Sequence, residues 1–402
     1  MATLTPTTVL RRAAELEVRV TAAGDVSVAT ERGLVSGGPH GLGILDLFSE
    51  PTTLAEALER LGPRAGGAQD WIDLTAAVAR LHEEGVLRAD GEPEPGADRA
   101  IRPTFDSPGP HVAMLEDRVR TSAFLAALDE VVRDDDVVVD IGTGTGVLAV
   151  GAARAGACRV YAVEATPLAH QAREVVRANG LEDRVSVVEG WSTRITLPER
   201  ATLAVAEILG SDALEERVLP VLLDARRRLL QPEARLVPTA IRIFGQPVAI
   251  PDERVSSLTF TVSNTERWSS WYGLELSPLA GYSARLRHRF TAMLDDVRGW
   301  EPLSEPVLVA ELDLTHFETP HVEARAAAAA TCSGLANGTI AFFEAQLSPG
   351  VALSTSPAAE RPVTSWGVPA WLLPEPVELR RGGEFTLEYA YARGAGSLRL
   401  LT

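Results

Sequence analysis

VVVDIGTGTGVL, residues 137–148, sets four apolar positions around Asp140 and then three glycines spaced two apart, Gly142, Gly144 and Gly146. A short, near-continuous apolar run of this kind is a strand buried on both faces. Glycines between such a strand and a helix leave bare backbone for a ligand, with the helix N-terminus behind it. The spacing is Gly-x-Gly-x-Gly after an acid, not the Gly-x-Gly-x-x-Gly of dinucleotide-binding folds, and no Lys-Ser/Thr pair follows to hold ATP phosphates. Some 18 residues past the loop, Glu164 ends the next strand, where a carboxylate can chelate two ribose hydroxyls.

Outward from this loop, strand and helix alternate. The helix HVAMLEDRVRTSAFLAALDEVV precedes it; RVYAVEA, RVSVVEG and TLAVAEILG read as strands, PLAHQAREVVRANG and ALEERVLPVLLDARRRLL as helices. That alternation predicts a doubly wound α/β domain over residues 104–238. After PEARLVPTA it stops, and SLTFTVS, PVLVAELDL, GTIAFFEAQL and EFTLEYAYA predict an all-β domain over residues 239–402. The segment SSWYGLELSPLAGYSARLRHRFTAMLDDV interrupts it as a helical insertion.

Residues 1–92 form a separate unit. ELEVRVTAAGDVSVAT alternates around Gly24-Asp25 as a hairpin, and GLGILDLFSEPTTLAEALERLG reads as two short helices, the second capped by Thr52 or Thr53. DWIDLTAAVARLHEEGVLRAD is an amphipathic helix closed by Gly85, then a short strand. A hairpin with three helices is winged-helix-like, and the Pro-, Gly- and acid-rich stretch behind it makes residues 93–103 a linker.

Composition narrows the functional classes. The chain of 402 residues has a net charge of −17 and no lysine, which disfavours nucleic acid and suits a cationic substrate. No apolar run approaches a membrane span, and the N-terminus is no signal peptide, so neither membrane nor export is expected. Two cysteines, Cys158 and Cys332, make neither a disulfide framework nor a zinc site; a cytoplasmic protein without a metal is expected. His40, His111 and His316 are lone histidines whose expected roles are surface or core ones.

Asp-x-Gly-x-Gly-x-Gly together with Glu164 resembles the class I S-adenosylmethionine (SAM) methyltransferases, with a Rossmann-like fold. From His111 to Thr402 the chain resembles, more narrowly, the protein arginine methyltransferases. HVAMLEDRVRT is similar to that family's cofactor-covering helix, AEILGSDALEERVL to its double-Glu loop, and LSTSPAAERPVTSWGVPAW to its Thr-His-Trp loop. The resemblance implies SAM as cofactor, touched by Met114 and Arg120 at its methionine end and by Asp140, Gly142, Gly144, Gly146 and Glu164 along the loop and ribose. It implies Glu207 and Glu216, nine apart, as catalytic acids, and Asp117, Ser365 and Trp366 as substrate-side residues. It also implies a C-terminal β-barrel with a dimerisation arm at about residues 266–300, hence a homodimer.

The paired glutamates make physical sense. Two carboxylates can bracket a cationic acceptor, offset its repulsion from a sulfonium and aim one nitrogen for in-line attack. Three departures from the family pattern bear on the acceptor. Ser365 stands where the family has the His partner of Asp117, Ser192 and Thr193, still expected to touch the cofactor, stand where it has an adenine-reading Glu, and the segment before the covering helix lacks its tyrosines.

Residues 1–92 resemble the PqqD-like peptide-recognition domains of enzymes that tailor ribosomally made peptides, through EVRVTAAGDVSVA, ILDLFSEPTTLAEAL and VARLHEEGVL. A DNA-binding winged helix and a structural cap are the competing readings, the former disfavoured by a single basic residue, Arg80, in TAAVARLHEEGVL. The expectation is a SAM-dependent N-methyltransferase acting on a cationic nitrogen, an arginine guanidinium or a peptide amine, of a ribosomally made precursor peptide recruited by this unit. One alternative is an arginine methyltransferase acting on a folded protein partner, with the unit a cap. Another is a non-catalytic SAM-fold scaffold.

Overall fold

Val137–Ile141, every residue of it buried, is the central strand of a five-stranded sheet in a computed structural model. The model describes residues 4–13, 16–20, 26–30, 33–62, 67–89, 105, 107–283, 288–361, 363–392 and 394–402. The turn at Gly24-Asp25 and the linker 93–103 lie outside the described residues. The chain divides into two units, Met1–Thr104 and Phe105–Thr402.

In the second unit the five strands run in the order Leu230–Val237, Ala201–Val205, Val137–Ile141, Arg159–Glu164 and Val185–Glu189, all parallel. Ligands of such sheets bind outside the carboxyl ends of the strands, which is where the glycine loop, Glu164 and Glu207 all lie. Two helices differ from the sequence expectation. The covering helix is split into Pro108–Glu116 and Arg118–Val131, because Asp117 leaves helical geometry to cap the second piece, accepting from the Arg120 N–H at 3.0 Å. The helix expected from Ala213 starts only at Val218, after a left-handed Arg217, so Glu215 and Glu216 sit on a loop rather than in a first helical turn.

The β-rich part is two antiparallel sheets rather than one continuous barrel ladder. In the larger, Gly334–Ser348 lies between Ala240–Ala249 and Val368–Leu379, and His288–Ala292 extends the sheet beyond the latter. The smaller orders Val322–Ala329, Glu384–Ala392 and Ala395–Leu401. Strict alternation along Glu384–Ala392 turns Phe385, Leu387, Tyr389 and Tyr391 inward. SLTFTVS, expected as a strand, instead joins two helices, Asp252–Leu258 and Val262–Tyr272, with Thr261 capping the second through the Asn264 N–H at 3.2 Å. The helical insertion therefore begins at Asp252, and its expected C-terminal part returns to the sheet at His288–Ala292.

The first unit has two three-stranded sheets and the helices Gly41–Leu47, Leu54–Leu61 and Ala68–Glu83 around Leu10, Ile44, Phe48, Leu74 and Leu81. Glu17–Val20 and Val26–Thr30 pair antiparallel, and Thr53 accepts from the Glu56 N–H at 3.2 Å to cap the second helix. Among the described residues no helix is long and apolar enough to cross a membrane.

Candidate active site

The glycine loop folds over its neighbouring strand. The N–H groups of Gly142 and Thr143 both donate to the Val163 carbonyl at 2.9 Å, which carries the chain toward Glu164. At Gly144 φ is +54°, and its N–H donates to Glu164 Oε2 at 2.8 Å while the Thr166 N–H donates to Oε1 at 2.8 Å. Each carboxylate oxygen keeps a second lone pair, so Glu164 can still accept from hydroxyls. A Cβ at Gly142 would come within 2.8 Å of Ile208 Cγ2, so this position stays bare because the acid-bearing loop packs on it. Asp140 is buried beneath; Thr143 Oγ1 donates to its Oδ2 at 2.5 Å, and burial pushes its carboxyl up to about 7.

His111, expected to be an ordinary surface or core residue, lies beside this loop. A Cβ on Gly144 would sit 3.5 Å from His111 Nδ1, while Nε2 is 3.0 Å from the Phe105 carbonyl oxygen. The carbonyl can only accept, so Nε2 donates this bond and Nδ1 is the ring nitrogen that faces the loop. Its sequence signal was the i, i+3 spacing to Met114, which places both on one helix face.

Arg120 is the centre of the charged part. It is buried, pairs with Glu207, donates from Nη1 to the Met114 carbonyl at 3.2 Å, and lies over the Trp366 ring with Cζ 5.7 Å from the centroid. Its Nε has no partner among the described residues. Burial lowers its pKa to about 10, with the charges of Asp117 and Glu216 pulling the other way. Glu216 is half-buried; burial first, and the Glu215 charge second, push its carboxyl up to about 8 against the opposing pull of Arg120. Glu207 thus pairs with the Arg120 guanidinium, and the charge of Glu216, nine residues on, acts on the same group.

Asp117 answers the missing histidine in its own way. Its Oδ2 accepts from the backbone N–H groups of Thr364 at 2.6 Å and Ser365 at 2.8 Å, so main chain rather than a side-chain ring is its partner here. Burial pushes the Asp117 pKa up, but the N–H groups of Arg120, Ser365 and Thr364 outweigh it and hold the carboxyl below its usual value. One carboxylate therefore ties the helix turn that carries Arg120 to the loop that carries Trp366. Ser192 and Thr193 do not join the cluster. The Ser192 carbonyl accepts from Arg228 Nη2 at 2.6 Å, Thr193 is exposed, and no described bond ties either side chain to Glu164 or Arg120.

The other two lone histidines are paired, His40 with Asp70 at 3.1 Å and His316 with Asp313 at 3.2 Å. Among the described residues no group of three or more His, Cys, Asp or Glu side chains is placed to hold a metal ion.

Two family models match the chain: "Ribosomal protein L11 methyltransferase (PrmA)" over residues 119–277 and "Arginine methyltransferase oligomerization subdomain" over residues 254–401. The chain is 34% identical over 231 residues to "Probable protein arginine N-methyltransferase 6.1" of Oryza sativa subsp. indica, a match covering 56% of this chain and 58% of that protein. It is 28% identical over 311 residues to "Protein arginine N-methyltransferase PRMT10" of Arabidopsis thaliana, covering 72% and 81%. Among solved structures, Arabidopsis thaliana protein arginine methyltransferase 10 superposes with a TM-score of 0.63 at 24% identity, covering 74% of this chain and 93% of that one. The Trypanosoma brucei PRMT1 enzyme-prozyme heterotetrameric complex with AdoHcy does so with 0.62 at 24%, covering 71% and 88%. At such identity the superpositions speak for the fold. The chain spans less than three fifths of the length of the rice relative.

Proposed function

We propose that this chain, similar to protein arginine N-methyltransferases, is an enzyme of that kind and transfers a methyl group from SAM to a guanidinium nitrogen of an arginine in a protein partner. The observation that carries this is the pairing of Glu207, beyond the carboxyl end of its strand, with a buried Arg120 that also feels the charge of Glu216, beside a glycine-rich loop bonded to Glu164 in the same sheet. The residues present fit the cofactor. Glu164 keeps lone pairs for two hydroxyls, the loop offers bare backbone, and Arg120 has a buried, unpartnered N–H for a carboxylate.

When bound, SAM supplies an electrophilic methyl on a cationic sulfonium. Glu207 and Glu216 would hold the acceptor guanidinium by charge-assisted hydrogen bonds and orient one nitrogen toward that methyl. The proton that nitrogen sheds on alkylation would pass to Glu216, whose carboxyl, raised by burial to about 8, holds a proton more readily than an exposed carboxylate. Arg120, drawn to the cofactor carboxylate, would release Glu207 for the acceptor.

The relatives' names support arginine in a protein as the acceptor. Nothing in them supports a ribosomally made precursor peptide, and both family models lie outside residues 1–92. Retention of the three acids speaks against a non-catalytic scaffold. A homodimer is part of the proposal. Trp271, Tyr272, Leu274 and Tyr282 are exposed on the helical insertion, and Val112, Leu115 and Val119 are exposed on the two covering helices, apolar surface that a two-fold partner would bury.

The test is transfer from labelled SAM to an arginine-containing peptide, compared with the same peptide carrying citrulline or lysine at that position. Methylation of the arginine peptide alone is expected, with Glu207→Gln and Glu216→Gln retaining cofactor binding while losing turnover. Methylation of the lysine peptide but not the arginine peptide would overturn the assignment.

A further inference from the structure

The loop from Glu207 to Arg217 carries both acids, nine residues apart, the first paired with Arg120. Its own turn is unusual. The Asp212 carbonyl accepts from the Glu215 N–H at 2.9 Å and the Leu214 carbonyl from the Arg217 N–H at 3.0 Å, and Arg217 then takes a φ of 63°, the one non-glycine left-handed residue among those described. Non-glycine residues hold that conformation when surrounding structure imposes it. Three contacts from the β-rich part supply the imposition. Gly367 N–H donates to Ser211 Oγ at 3.1 Å, Arg289 Nη1 donates to Glu215 Oε1 at 3.1 Å, and Tyr389 Oη donates to Asp212 Oδ1 at 2.9 Å.

The last of these is the most deeply set. Asp212 is 4% exposed and Tyr389 0%, and Gly396 faces the carboxylate because a Cβ there would overlap Asp212 Oδ2. None of the described hydrogen bonds of Asp212 reaches Arg120 or Glu207.

We propose that the Asp212–Tyr389 hydrogen bond is the positioning device of the acid loop: it fixes the turn that sets Glu216 opposite Glu207, so both are positioning residues for methyl transfer. The inference rests on the reaction proposed above. It follows from the tolerance of such chemistry, since a displacement of about 1 Å at reacting groups lowers rate by about 100-fold.

Tyr389→Phe leaves a buried acid with only the Leu214 N–H as donor, whereas Asp212→Ala/Tyr389→Phe removes the buried carboxyl together with its side-chain partner and is the variant expected to keep more of the wild-type stability. Both are made in the full chain and checked by thermal melting. For the double variant, amide hydrogen exchange over residues 208–217 should accelerate at least about tenfold and kcat should fall at least about tenfold, while KM and SAM affinity stay within about threefold. Unchanged exchange in this loop overturns the inference whatever the activity. Faster exchange with unchanged kcat overturns it as well, as does a fall in kcat matched by an equal loss of SAM affinity. If the wild-type chain methylates no arginine peptide, the proposed reaction fails, and the exchange measurement still decides whether this bond holds the loop.

Discussion

Glu216 offers a prediction whose size can be worked from its surroundings. Burial and the neighbouring Glu215 raise its carboxyl to about 8 in the cofactor-free protein, so at pH 7 about one molecule in ten carries it ionised and at pH 9 about nine in ten. If the ionised form is what holds the guanidinium and takes its proton, kcat/KM, which reports the free enzyme, should rise about tenfold between pH 7 and pH 9. Arg120, lowered only to about 10, stays largely charged over that range and does not blunt the limb. Initial rates at low acceptor concentration across this range measure it, and Glu216→Gln should abolish the limb along with most turnover. The same group has a signature without any substrate. Its folded pKa lies above the 4.5 of the unfolded chain, so the folded state holds a proton that the unfolded state has lost between those values. The stabilising contribution is therefore full below 4.5 and is lost as pH rises through about 8, and Glu216→Gln should lack that slope. A flat kcat/KM profile in the wild type, or a rising limb that survives in Glu216→Gln, would refute the assignment.

Glu164→Ala should weaken SAM binding at least about tenfold by calorimetry, because two ribose hydroxyls lose their acceptor and the Gly144 N–H loses its partner. Asp117→Ala removes a helix cap worth about 1 kcal/mol and frees the Thr364–Ser365 backbone, so both melting temperature and turnover should fall. The folded pKa of Asp117 is lowered, so its stabilisation is present above 3.8 and lost as pH falls through the folded value; acid melts of the wild type and the Ala variant should converge there. Trp271→Ala with Tyr272→Ala, two residues 62% and 65% exposed on the insertion, should yield a monomer by light scattering and sharply reduced activity; a dimer of unchanged strength would count against the two-fold arm.

Some of this molecule is written in short-range pattern. The parallel sheet is legible because strands covered on both faces need apolar residues at every position, so VVVDI, RVYAVE and ATLAV announce themselves without reference to anything distant. The glycine loop, the acid ending the next strand and the Thr53 cap are legible for the same reason, since backbone conformation and a hydrogen bond three residues away are local demands. The contacts that shape the acid loop and its surroundings are of another kind. Whether HVAMLEDRVRT is one helix or two turned on where Asp117 finds donors, and two of the three lie 247 and 248 residues away. SLTFTVS had the β-branched and aromatic content of a strand, yet helix caps at Thr261 prevailed over that propensity. The ALEER segment carries a helical pattern, but Asp212 binding to Tyr389, 177 residues on, and Glu215 to Arg289, 74 on, pull it into a turn that ends left-handed at Arg217. Periodicity reports which face of an element is dry. Which buried polar group meets which is settled only when distant segments pack, because a carboxylate taken out of water must find its donors wherever the fold brings them.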